Sequence, residues 1–272
     1  MEIFMEYLIA CDLEGIHGVV GEPYKGLLRE LDDYQTAIRN AEKEINAAAR
    51  ALFDSGATKV ALWDNHGGGN NIDEKNIDSR VTHVYHIPKK PRFDFAREHN
   101  FAGIVFLGYH AREGTLGAVL AHTYSSVSIQ YVKLDGKPIG ELELDSYICA
   151  CHGIAPIFAA SDDICIKQFN ELAPEAVSVI TKYAKGRNAA ELIDSDTVTK
   201  AIYDGVSEAA KKPLQPIPYS TPAFAEIRYT RMEKAAEIYA KATEMGIPVK
   251  YGEDAHILHL TFERLNELPF FL

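Results

Sequence analysis

The chain is 272 residues long and 47% hydrophobic, with 39 acidic against 28 basic side chains and a formal charge of −11. That balance argues against nucleic acid as a partner, because phosphate backbones are bound by basic surfaces; the hydrophobic content can bury one large α/β core or two smaller ones. With no basic-then-apolar leader and no apolar run of bilayer length in the sequence, the expectation is a cytoplasmic protein with no membrane partner.

The first apolar run, YLIACD at 7–12, predicts a strand that ends on two carboxylates, Asp12 and Glu14, followed by Gly15. Residues two apart share a face, so both acids can serve one metal, one phosphoryl group or only a solvated turn. Cys11 points to the opposite face and reads as core. Ala, Ile and Leu spacing over 32–54 predicts a helix. KVALWD at 59–64 predicts the next strand, with His66 just beyond it in the glycine cluster HGGGNN, which lacks the lysine of a phosphate cradle. THVYHI at 82–87 and GIVFLGY at 103–109 follow as strands; His110 ends the second of these as His66 ends KVALWD, and His122 comes twelve residues later, after TLGAVLA.

The segment 120–139 alternates like exposed strands and carries Asp135-Gly136, a hairpin signal. Glu141 opens a helix after Gly140, where a first-turn glutamate also suits the helix dipole. PIFAAS at 156–161 predicts another strand, leading through Asp162 and Asp163 into the helical ICIKQFNEL. Beyond about residue 185 come a helical stretch at 189–211, a proline-rich connector at 211–222, the strand AFAEIRY, a helix over 231–244 and the closing strand HILHLTF. The alternation predicts an α/β fold with a mainly parallel, partly mixed sheet flanked by helices. Residues 1–185 form a metal-binding core, and 186–272 an extension or smaller C-terminal lobe packed on it. Cys11, Cys149, Cys151 and Cys165 form no CxxC pairs and read as buried thiols. The remaining histidines have no strand-end placement and read as surface or core residues.

In an open α/β sheet, function collects beyond the carboxyl ends of the strands. Asp12, Glu14, His66, His110 and Glu141 together make a set of imidazoles and carboxylates that suits zinc, with one carboxylate able to bridge; two ions need about four to six protein ligands plus water.

In order and spacing, DLEGIHG at 12–18, WDNHG at 63–67, FLGYHAR at 106–112, AHTYS at 121–125 and PIGEL at 138–142 resemble the zinc-dependent D-aminopeptidase family, the DppA-like metallopeptidases, across about residues 5–165. The resemblance implies a site of two zinc ions per subunit, with Asp12 as the bridging ligand and Glu14, His66, His110 and Glu141 completing the shells. It further implies His122 as the catalytic residue, a short peptide with a free N-terminus and D-amino acids as substrate, and a ring-like homo-oligomer. The C-terminal third carries no motif of that pattern.

Two other readings compete. A haloacid-dehalogenase-like, magnesium-dependent phosphatase would use DLEG at 12–15 and ASDD at 160–163, but its second acid would be Glu14, its usual threonine is Ile16, and three strand-end histidines go unused. A non-catalytic metal- or small-molecule-binding protein would hold the same ligands with no open coordination position.

Overall fold

Residues 5–23, 25–30, 32–87 and 89–272 are described by the computed structural model. In chain order the elements are β1 (Glu6–Cys11), α1 (Asp32–Asp54), β2 (Lys59–Asp64), β3 (Val81–Val84), β4 (Phe101–Leu107), β5 (Ile129–Leu134), β6 (Lys137–Ile139), α2 (Glu141–Cys151), β7 (Pro156–Asp162), α3 (Asp163–Leu172), β8 (Val177–Gly186), β9 (Ala189–Leu192), α4 (Ser195–Ala209), β10 (Ala223–Tyr229), α5 (Met232–Glu244), β11 (Val249–Tyr251) and β12 (Ile257–Phe262).

The apolar runs read as strands form a seven-stranded sheet in the order β3-β2-β1-β4-β7-β8-β9, parallel except for β9. Both faces are covered, which is why β1, β4 and β7 are apolar without alternation. Ile9, Leu62, Val105 and Phe158 pack under α1 and α4, where Ala37, Ala41, Ile45, Ala48 and Leu52 make the helical stripe of α1. Leu8, Trp63, Phe106 and Ala159 face the other way, into a core shared with α2, α3 and a second sheet.

That second sheet is antiparallel, in the order β11-β12-β10-β5-β6. It is buried on one face: Ala223, Ala225, Ile227 and Tyr229 of β10 are inaccessible, while Phe224 is exposed. Asp135 and Gly136, both at positive φ, close the β5–β6 hairpin as their sequence predicts. The sheets interleave along the chain, since β5 and β6 join the second sheet whereas β9 and α4 pack with the first.

Three expectations are corrected. Residues 189–192 are the edge strand β9, not the start of a helix, because pairing with β8 overrides the helix preference of AAEL. Residues 120–128 form loop and turn, and strand structure begins only at Ile129. Cys151, at the end of α2, is exposed, while the other three cysteines are buried. Among the described residues no helix is long and apolar enough to cross a membrane.

Candidate metal centre

Strand order runs outward from β1 through β2 on one side and from β1 through β4 and β7 on the other, so the crevice beyond the carboxyl ends opens at β1 and β4. Asp12 and Glu14 follow β1, His66 follows β2, and His110 follows β4. Two glycines let these ends meet. Gly108 has φ +70°, and a Cβ there would lie 2.1 Å from the Asp12 carbonyl oxygen; a Cβ on Gly15 would lie 2.1 Å from the Tyr109 carbonyl oxygen. The amides of Asp12 and Gly15 donate to the carbonyls of Leu107 and Gly108, which fixes the register of the two loops.

All six residues singled out in the sequence come together. His66 Nδ1 lies 2.9 Å from Asp12 Oδ1 and 3.2 Å from Glu14 Oε2. His110 Nε2 lies 3.0 Å from Glu141 Oε2 and 3.6 Å from Asp12 Oδ2. Asp12 therefore turns its two oxygens toward two different imidazoles. His122 stacks on His110 with ring centroids 3.8 Å apart, and its Nε2 is 4.0 Å from Glu14 Oε1. Ligand atoms of Asp12, Glu14 and His110 lie within 4.8 Å of one another, as do those of His110, His122 and Glu141.

The donor set fits a cation. His110 Nδ1 donates to the Ala111 carbonyl at 3.1 Å, which leaves Nε2 to face two carboxylates with its lone pair unless a proton or metal stands between. Asp12, Glu14 and Glu141 are all buried, and three buried carboxylates require compensating positive charge. Protons supply it in the absence of metal. Burial opposes charge on His66, yet Glu14 and Asp12 push it up to about 12; burial likewise opposes charge on His110, which Glu141 raises to about 10. Burial and then Glu14 raise Asp12 to about 7, whereas for Glu141 burial is opposed by His110, His122 and Arg92, which together draw it down to about 2. His122 differs: burial, then the neighbouring His110, holds it below the ordinary imidazole range. Its Nδ1 donates to the Leu120 carbonyl at 2.8 Å, so the Nε2 lone pair is free.

Residues outside the sequence expectation frame this centre. Asp145, one helical turn after Glu141 on α2, accepts from Arg92 through both oxygens, from Tyr109 at 2.7 Å and from Tyr124 at 3.2 Å. The Tyr124 amide donates to Glu141 Oε2 at 3.1 Å. Asp64 organises the glycine loop by accepting from the amides of Asn71 and Ile72. Below the site, the fully buried Lys182 donates to the carbonyls of Glu14 and Ile16, at 2.6 and 2.7 Å. The i, i+4 spacing of Glu141 and Asp145 is the one signal in the sequence that points to this network.

The acidic pair that a phosphatase would offer to magnesium serves the fold through one oxygen of each acid, Asp162 Oδ2 being buried without a partner among the described residues. Asp162 Oδ1 caps α3 by accepting from the amides of Ile164 and Cys165, both at 2.9 Å, and Asp163 accepts from the Ala184 amide at 2.7 Å.

Comparison with known proteins places the chain in a family. The peptidase M55 family model, described as D-aminopeptidase, matches residues 5–246. A D-aminopeptidase of Bacillus subtilis (strain 168) is 24% identical over 217 residues, covering 78% of this chain and 78% of that protein. The fold is similar to that of the Zn-dependent D-aminopeptidase DppA from Bacillus subtilis, a self-compartmentalizing protease, with a TM-score of 0.86 at 21% identity, covering 98% of this chain and 95% of that one. On the match of the family model over most of its length, this chain belongs to the D-aminopeptidase family of peptidases.

Proposed function

We propose that the chain is a dinuclear zinc aminopeptidase that removes the N-terminal residue from short peptides containing D-amino acids. One observation carries the reading: Asp12 presents Oδ1 to the His66 and Glu14 group and Oδ2 to the His110 and Glu141 group. Asp12, Glu14, His66, His110 and Glu141 would hold the metal pair, with Asp12 placed between the His66 and Glu14 side and the His110 and Glu141 side. The mixture of nitrogen and carboxylate donors suits zinc.

When bound, the zinc pair supplies Lewis acidity to the scissile carbonyl and acidifies water. The chain's own residues do the rest. His122, with Nδ1 committed to Leu120, takes up at Nε2 the proton released by the attacking water and delivers it to the departing amine nitrogen. Its stacking on His110 fixes the plane in which it works. Tyr124 and Asp145 keep Glu141 and Arg92 in place from the side of α2. The acidic surroundings favour a substrate that arrives with a free, positively charged amino terminus. By analogy with the self-compartmentalizing relative, the subunits assemble into a ring-like homo-oligomer.

Metal analysis of protein purified without a histidine tag or added metal, alongside cleavage of D- and L-alanyl dipeptides, tests this reading. About two zinc ions per chain with cleavage favouring the D-dipeptides is the expected result. Stoichiometric metal without peptidase activity would favour a binding protein, and loosely held magnesium with phosphate-ester hydrolysis would favour a phosphatase.

A further inference from the structure

Beside the metal centre lies a pocket of ≈ 250 Å³ walled by Trp63, Tyr124, Asn65, Arg92, the glycine loop at 67–69 and Phe270. Pockets that take drug-sized ligands run to roughly 300–1,000 Å³, so this one suits one or two small residues. Arg92 is its cation. The guanidinium lies over the rings of Trp63 and Tyr124, 4.6 and 5.0 Å from their centroids. Its Nε and Nη2 donate to Asp145, and Nη2 also to Asn65 Oδ1. Nη1 has no acceptor among the described residues, and the side chain remains 13% accessible. Asn65 adds a second unsatisfied donor: its buried Nδ2 has no partner among the described residues, while the bond from Arg92 to Oδ1 fixes which way the amide lies. The acid lining the pocket, Asp64, is occupied by the loop amides of Asn71 and Ile72.

We propose that this pocket receives the C-terminal carboxylate of the substrate, with Arg92 as the positioning cation, so that the enzyme selects dipeptides with a free C-terminus over their amides; the proposal rests on the aminopeptidase reading above. Charge sets the direction of the peptide. A free amino terminus is repelled by Arg92 and drawn to the acids, which puts Arg92 on the leaving-group side. Reach sets the length. Arg92 Nη2 is 3.9 Å from Glu141 Oε1, so it stands next to the reacting centre, and in a dipeptide only the amide nitrogen and one α-carbon separate the scissile carbonyl from the carboxylate. A guanidinium held over the rings and by Asp145 offers its remaining Nη1 donors to that carboxylate in a fixed plane.

The test compares kcat/KM for D-alanyl-D-alanine with that for its C-terminal amide. Wild type is expected to prefer the free acid by about tenfold or more, the size of a charge-assisted hydrogen bond. In Arg92→Gln/Asp145→Asn, which removes both charges together, the acid-to-amide ratio is expected to fall to near one. A wild-type ratio near one overturns the proposal whether or not the double variant folds, and so does a preserved ratio in a folded double variant. Failure to cleave either compound overturns the aminopeptidase reading instead. Calorimetric titration of both compounds into the metal-loaded His122→Ala protein then decides the pocket separately: tighter binding of the acid by about tenfold supports it, and equal binding of the two overturns it.

Discussion

The imidazole of His122 lies flat on that of His110, with centroids 3.8 Å apart and planes inclined by 10°, yet the two rings face different partners. His110 directs Nε2 at Glu141 and Asp12, whereas Nε2 of His122 stands 4.0 Å from its nearest carboxylate oxygen, on Glu14. On the proposed function the first ring holds metal and the second moves a proton. His122→Ala is therefore expected to keep its zinc and lose about 10²- to 10⁴-fold in kcat, the usual worth of a general acid–base group. His110→Ala should lose metal and turnover together. Metal analysis and steady-state kinetics on the same preparations separate the two roles; loss of zinc from His122→Ala would make it a ligand.

Asp12, Glu14 and Glu141 concentrate negative charge in a buried site, so metal bound there stabilises the folded chain as well as activating it. Chelation should lower Tm by roughly 5–10 °C for each ion whose free concentration is about a hundredfold above its Kd, which is worth about 2.7 kcal/mol per ion. Asp12→Ala should show no further fall on chelation. Thermal scans of both proteins with and without chelator check this, and an equal chelator effect in the variant would remove Asp12 from the ligand set.

Gly108 bears on the same centre through the backbone. Its φ is +70°, and the 2.1 Å between a Cβ at this position and the Asp12 carbonyl oxygen would leave no room for alanine. Gly108→Ala is expected to cost about 3 kcal/mol or more and to weaken zinc binding, because it pushes β1 and β4 apart where Asp12 and His110 meet. Urea unfolding and metal titration measure the two effects.

Much of this site is legible in the sequence, and the reason is local. Asp12, Glu14, His66 and His110 each end or closely follow an apolar strand, and a parallel sheet gathers such ends in one crevice. Glu141 needs only a helix start after Gly140. Arg92 carries no such signal: it sits in an irregular segment after KKP, and its importance comes from Asp145, 53 residues away. Lys182 is equally hidden, since a lysine inside a strand is expected at the surface and is buried here only because two loop carbonyls await it. The AAEL strand escapes a local reading for a related reason, its pairing partner being invisible to a local pattern.

Asp162 distinguishes the peptidase from the phosphatase reading by a stability measurement. As the N-cap of α3 it satisfies two amides, and Asp162→Ala should cost about 1–2 kcal/mol. Because the acid takes no part in the proposed peptidase chemistry, zinc content is expected to stay at the wild-type level. Metal loss in a variant that remains folded would return the pair to the active centre.

Glu44 provides a pH dependence away from the metal ligands. It lies on α1 at 2% exposure, with Oε1 accepting from the His17 amide at 2.8 Å and Oε2 without a partner among the described residues. Burial raises its carboxyl from 4.5 to about 7, against the pull of the His17 amide and Lys182. Between those values the unfolded chain has released a proton that the folded chain retains, so stability falls as pH rises, by about 1.4 kcal/mol per unit and about 3 kcal/mol in all. Below about pH 4.5 the contribution is fully present, and above about pH 7 the loss is complete. Glu44→Gln keeps an acceptor for His17 and has no proton to release. Urea unfolding of both proteins in chelator at pH 5, 6, 7 and 8 should therefore show wild type losing ground to the variant up to pH 7 and running parallel to it beyond. Parallel curves throughout would mean that Glu44 folds ionised, with Lys182 close enough to neutralise it.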